Sequence, residues 1–163
     1  MKVIFLDIDG VVNCSSTKER TRDIVGVEQR KIALVKQIVR ATGARLVLSS
    51  TWRNGWIYEG TDSHSEDVED WCYLYHEFHK QGLEFLDYTP LHEDKHRGRE
   101  IQEWLDNCNE EIEAYVVIDD NMWGIRELHK HHMVQTSYGY GLLPTGVEMA
   151  IQILNKNDKK QDE

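Results

Sequence analysis

Asp7 and Asp9 stand two residues apart in MKVIFLDIDG, and Asp119 and Asp120 stand side by side after the run YVVI. Carboxylates two apart on extended backbone point the same way, and Gly10 lets the chain turn sharply behind them. Aimed at one substrate, one carboxylate can attack while the other moves protons. Attack on phosphorus forms an acyl phosphate and splits hydrolysis into two displacements. The second acid protonates the leaving oxygen and then activates water. Asp7, Asp9, Asp119 and Asp120 gathered at one edge would repel one another and resist desolvation, so a purely structural role is an expensive explanation. A divalent cation resolves the conflict. Mg²⁺ takes hard oxygen ligands, keeps several waters, and needs only one or two carboxylates beside a substrate phosphate. The chain has no matching set of His and Cys for zinc.

The elements that would position these acids follow from the pattern of apolar residues. Val3–Leu6 is an apolar run ended by acid and Gly, which predicts a buried parallel strand. Residues 27–42 carry Val27, Ile32, Leu34, Val35, Ile38 and Val39 at near-helical spacing, with Gly43 as the C-cap. Arg45–Ser49 predicts a second strand, Asp67–Gln81 a helix stopped by Gly82, and Leu83–Leu86 a third strand. Arg99–Asp106 reads as a helix with Ile101, Trp104 and Leu105 on one face. Tyr115–Ile118 is the most strand-like run, Met133–Thr136 a last short strand, and Val147–Leu154 a closing helix after GYGLLPTG. The stretch Asn54–Ser65 reads as a loop near the site.

Strands alternating with helices, and no hairpin signature, imply an α/β fold: a three-layer sandwich with a central parallel sheet covered on both faces. Ligands of such sheets sit at the carboxyl ends of the strands. Asp7 and Asp9 follow the first strand, Ser49 ends the second, and Asp119 and Asp120 follow the fourth.

At 163 residues and 40% hydrophobic the chain fits one domain over residues 1–154 with a polar tail from 155 to 163. The net charge of −10 disfavours tight binding to long nucleic acid duplex, though an end held at a local basic site remains open. Cys14, Cys72 and Cys108 are odd in number and lack a Cys-x-x-Cys pair, which argues against a disulfide framework. With no signal-peptide pattern at the start and no run long enough to cross a bilayer, the expected home is the cytoplasm. No obligate protein partner and no membrane association is expected.

D-I-D-G-V-V-N at 7–13, L-V-L-S at 46–49, a basic residue before R-E-I-Q-E-W-L, and V-I-D-D-N at 117–121 resemble the four ordered motifs of the haloacid dehalogenase-like superfamily. More narrowly, L-S-S-T-W-R at 48–53 and R-G-R-E-I-Q-E-W-L at 97–105 resemble the phosphatase-type domains of Swiss Army Knife RNA repair proteins, relatives of polynucleotide kinase-phosphatases. The resemblance runs from Lys2 to about Leu154, and its motifs are specific as an ordered set.

The resemblance implies a Rossmann-like fold with Asp7 attacking phosphorus. Asp9 would be the general acid/base, its backbone carbonyl touching Mg²⁺, and Asp119 and Asp120 would complete the metal site. Ser49 would hydrogen-bond the transferring phosphoryl group, and a third-motif cation would neutralise charge on nucleophile and phosphate. Lys95 is the usual residue type for that cation; Arg97 stands at the better distance from Ile101 and is preferred. Ser50 and Arg53 are candidate substrate-binding residues, Arg53 through its planar fork. Residues 14–26 and 54–65 are too short for more than a flap, so a minimal cap and an open site follow.

The expected function is Mg²⁺-dependent phosphomonoester hydrolysis on polynucleotide ends, RNA or DNA, or on nucleotides. The alternatives are a small-metabolite phosphatase closed by the Asn54–Ser65 loop or a second subunit, and a non-catalytic metal-binding interaction module. His129, His131 and His132 read as an exposed helix end, and His76 and His79 as surface or packing residues. Trp52, Trp56 and Tyr58 could stack a base or join the core. Cys14 is expected to be inert.

Overall fold

The computed structural model describes residues 1–61 and 64–156. In chain order the elements are β1 (Lys2–Leu6), β2 (Arg20–Thr21), β3 (Ile24–Val25), α1 (Gln29–Thr42), β4 (Arg45–Leu48), α2 (Arg53–Ile57) and α3 (Ser65–His79). They continue as β5 (Phe85–Tyr88), α4 (Arg97–Asn107), β6 (Ala114–Asp119), α5 (Ile125–His129), β7 (Met133–Gln135) and α6 (Pro144–Asn155). The sheet is parallel throughout, ordered β5-β4-β1-β6-β7. The chain therefore winds outward from β1 in one direction to β5, then restarts on the other side of β1. That reversal opens the crevice in which such sheets bind ligands.

Alternation along the central strands builds the three layers. Ile4 and Leu6, with Leu46, Leu48, Val116 and Ile118, pack on one face under α1, α3 and α6. The intervening Val3, Phe5, Val47 and Val117 pack on the other against Ile101 and Trp104 of α4 and Ile125 of α5. Both faces being covered, the strands carry apolar residues at successive positions rather than alternate ones.

Helix ends explain where the observed boundaries leave the sequence reading. Glu28 is extended and ends the approach to α1, so Val27 packs in the core from outside the helix. Gly43, at φ 71°, closes α1 with its N–H on Val39 O. After α3, Gly82 adopts φ 70° and the Leu83 N–H returns 3.1 Å to Phe78 O. Leu83 is thereby used in the helix stop, and β5 starts at Phe85 rather than at 83.

Three local elements depart from the sequence reading. Residues 20–25 form a small antiparallel hairpin where none is signalled. Residues 54–57 of the expected loop are helical, as part of α2, which lies so close to α3 that a Cβ on Gly55 would sit 1.9 Å from Asp67 O. His129 belongs to α5 but is fully buried, not exposed. Its Nε2 donates to Gly98 O at 2.8 Å and its Nδ1 accepts from the Tyr115 hydroxyl at 3.0 Å, the one tautomer that satisfies both partners. Burial pushes its pKa down. The expected polar tail begins with Asn155 still helical; residues 157–163 lie outside the described residues. No described helix is long and apolar enough to cross a membrane.

Candidate active site

The carboxyl ends of β1 and β6 meet at a cleft of about 200 Å³ lined by Asp7, Asp9, Thr51, Lys95, Arg97, Asp119, Asp120, Asn121 and Trp123. Asp7 follows β1 directly, its N–H donating 3.0 Å to Ile118 O of the neighbouring strand. The backbone then turns at Gly10, at φ 75°, and a Cβ there would lie 2.3 Å from Asp120 Oδ2. Only glycine permits both the left-handed turn and this approach between the two acid segments.

Asp9 is gripped at both oxygens. Asn13 Nδ2 donates to Oδ1 at 2.9 Å, and the Trp52 indole N–H donates to Oδ2 at 3.0 Å. Asn13 is itself buried and fully committed, accepting from Gly10 N–H and donating to Gly26 O. Asp9 thus has a carboxylate held in fixed orientation two residues from Asp7.

Asp7, Asp119 and Asp120 each place one carboxylate oxygen within 4.8 Å of the others. The Asp9 side chain, turned to Asn13 and Trp52, is outside that group. Burial dominates the electrostatics. It raises the pKa of Asp7 against the pull of the Arg97 charge and of the Ser50 hydroxyl, which lies near without completing a hydrogen bond. Burial and the Asp7 charge push Asp119 up to about 8, and burial also raises Asp120. Three hard oxygen donors converging where ionisation is disfavoured are a donor set that suits Mg²⁺.

Arg97 opens α4 and reaches into this cluster. Its Nη1 donates to Asp119 Oδ2 at 2.9 Å and to Ser49 O, and lies 3.5 Å from Asp7 Oδ1. Burial opposes its charge, but Asp7 and Asp119 more than offset that and raise its pKa. Lys95, left-handed at φ 52°, lines the same cleft from an exposed position without touching an acid. Of the two third-motif candidates, Arg97 is the one in contact with the carboxylates.

Arg53 is placed differently from the expected substrate clamp. It is 2% exposed, and its guanidinium turns beneath the site to Glu100 Oε2 at 2.8 Å and Ser50 O at 2.8 Å. Glu100 also accepts the His92 N–H at 3.0 Å and lies 3.8 Å from Arg97 Nε. Arg53 and Glu100 form a buried pair supporting Arg97, and of the Arg53 donors Nε alone, also buried, is without a partner among the described residues. Ser49 Oγ and Ser50 Oγ are buried with no hydrogen-bond partner among the described residues, so neither caps α2. Unpaired buried hydroxyls are costly, and neither serine is among the residues that line the cleft, although the Ser50 hydroxyl lies beside Asp7.

Thr51, Asn121 and Trp123 line the cleft although the sequence reading gave them no role there; Thr51 and Asn121 stand inside the L-S-S-T-W-R and V-I-D-D-N motifs, and Trp123 lies outside both. Trp52 has its role through its ring N–H rather than by stacking. Among the described residues, none from 14–26 or 54–61 lines the cleft. The hairpin is tied back instead by Arg22, whose Nε donates 3.0 Å to Asp70 of α3. Two larger hollows of about 470 Å³, one at Trp104 and one at Trp71, lie apart from the converging acids.

The parallel sheet with acids gathered from β1 and β6 is consistent with the haloacid dehalogenase-like class of α/β proteins. Within it the chain belongs to the family described as the HAD domain in Swiss Army Knife RNA repair proteins, which matches residues 3–147. That family lies in the HAD-type phosphatase superfamily. Comparisons with curated proteins and with solved structures found no match.

Proposed function

We propose that the chain is a Mg²⁺-dependent phosphomonoester hydrolase that works through a phospho-Asp7 intermediate on polynucleotide ends or nucleotides. The Asp7 carboxylate attacks phosphorus as the ester P–O bond breaks, and Asp9 gives its proton to the departing alkoxide. Asp9 then takes a proton from a water that attacks the phospho-Asp7 phosphorus, which releases inorganic phosphate and restores Asp7. Arg97, between Asp7 and Asp119, offsets the negative charge that accumulates as phosphorus becomes five-coordinate. Ser49 and Ser50 supply the unused hydroxyls for phosphoryl oxygens. Asp7, Asp119 and Asp120 would hold Mg²⁺, with the Asp9 carbonyl as a further ligand; bound there, the ion supplies Lewis-acid stabilisation of the phosphoryl oxygens.

The observation that carries this reading is the Arg97 bridge over converging, otherwise repelling carboxylates. The family's description, and a cleft that among the described residues takes no lining residue from 14–26 or 54–61, favour an end of a large molecule over a metabolite closed beneath the 54–65 segment. The test is phosphate release with Mg²⁺ on 3′- and 5′-phosphorylated oligonucleotides, mononucleotides and an aryl phosphate. Turnover greatest on one oligonucleotide end supports the reading. Turnover confined to small esters replaces the substrate with a metabolite, and metal binding without any turnover leaves a binding module.

A further inference from the structure

Trp123 is 64% exposed and is one of the residues lining the cleft that holds Asp7, Lys95 and Arg97. A lone exposed tryptophan is unremarkable on a protein surface. This one is mounted. Its backbone N–H donates 3.1 Å to Asn121 Oδ1, two residues past Asp119, and the next residue, Gly124, turns left-handed at φ 74° to start α5. The His96 ring stands 5.3 Å from the indole, at 52° to it, and a Cβ on Gly124 would strike that imidazole at 2.9 Å.

The mounting also ties Trp123 to the catalytic arginine. Gly98, one residue after Arg97, approaches α5 so closely that its Cβ would lie 1.9 Å from Gly124 O. His129 at the far end of α5 locks the same crossing through Gly98 O. The start of α4, carrying Arg97, and the start of α5, preceded by Trp123, therefore form one braced unit. An aromatic face is held at fixed position beside a phosphoryl-binding floor.

We propose that Trp123 is a stacking platform for the base of the nucleotide whose phosphate is removed, which makes it a specificity residue; this rests on the nucleotide-end reading above. The cleft, at about 200 Å³, accommodates the phosphoryl group and leaves the ester's nucleoside to emerge at the mouth. The exposed groups there are Thr51, Asn121, a cation, Lys95, and an aromatic ring, Trp123. Phosphate and base are the two parts of a nucleotide that such a cation and ring engage, and stacking accepts any base because every base has a π-face.

The experiment uses the full chain with Mg²⁺ and oligonucleotides phosphorylated at the preferred end, in pairs whose terminal residue either bears a base or is abasic. Trp123→Ala is expected to lower the ratio of kcat/KM on base-bearing over abasic ends by roughly 10- to 100-fold, mostly through KM, with Trp123→Phe retaining most of it. An unchanged ratio, with wild-type turnover intact, overturns the platform and leaves the phosphatase reading standing. A loss in Trp123→Ala that is equal on both substrates overturns it as well, since that is damage to the rim. Absence of wild-type turnover on every oligonucleotide end removes the substrate reading itself, and the platform with it.

Discussion

The indole N–H of Trp52 donates 3.0 Å to Asp9 Oδ2, so the second segment of the site fixes the carboxylate that we propose as the acid/base. Trp52→Phe keeps the ring in the core and removes one hydrogen bond to a carboxylate. A bond to a charged group contributes about 1.5–3 kcal/mol, so kcat should fall roughly 10- to 100-fold with KM little changed. The fall should be smaller on an aryl phosphate, whose leaving group needs less protonation. Steady-state kinetics on an alkyl and an aryl ester check this. Equal losses on both would mean that Trp52 acts on packing rather than on proton transfer.

Arg97 sits 2.9 Å from Asp119 and 3.5 Å from Asp7, and Lys95 touches neither. Arg97→Ala should lower kcat by about 10²- to 10³-fold, the size of effect seen when one preorganised charge-stabilising donor is removed. Lys95→Ala should act mainly on KM, at a rim position. If Lys95→Ala gave the larger loss in kcat, the assignment of the third-motif cation would reverse.

Glu100 is buried against Arg53 at 2.8 Å. Glu100→Ala leaves a buried guanidinium without its carboxylate and should cost about 3–5 kcal/mol of stability. Urea denaturation of the two variants separates support from chemistry. Arg53→Ala should likewise lose stability; normal stability with a large rise in KM would restore Arg53 as a substrate clamp.

In the metal-free fold Asp119 keeps its proton up to about 8, against an ordinary value of 3.8. Across that window the folded state binds the extra proton, so ionising Asp119 disfavours folding and stability falls as pH rises from about 4 to about 8. Mg²⁺ competes with the same proton, so its stabilisation should grow over that window and vanish with chelator. Thermal melts at about pH 5 and about pH 8, with and without Mg²⁺, measure this. A Mg²⁺ shift in Tm equal at both pH values would place the ion elsewhere.

Much of this architecture was legible because parallel strands buried on both faces are continuous apolar runs: VIFL, LVL and YVVI are β1, β4 and β6 at nearly their observed limits. The acids at their ends were legible for the same reason, since polarity is informative where a buried run stops. Short elements were not. Arg20–Val25 and Arg53–Ile57 are held by Arg22 to Asp70 and by Gly55 against Asp67, contacts with α3 that no local pattern announces. Arg53 reads as a substrate clamp and His129 as part of an exposed helix end because their partners, Glu100 and Gly98, are 47 and 31 residues away in sequence. Trp123 lines the cleft from the turn after Asp120, in which its N–H donates to Asn121 Oδ1, a placement no local pattern announces.

The central claim is that Asp7 carries the phosphoryl group, and the most direct measurement is the mass of the protein after reaction. Asp9→Asn, mixed with an aryl phosphate and Mg²⁺, lacks the base for the second displacement and should accumulate a covalent adduct of one phosphoryl group. Peptide mapping should place it on Asp7, and Asp7→Asn should neither form it nor release phosphate. An adduct on another residue, or undiminished phosphate release by Asp7→Asn, would contradict the account.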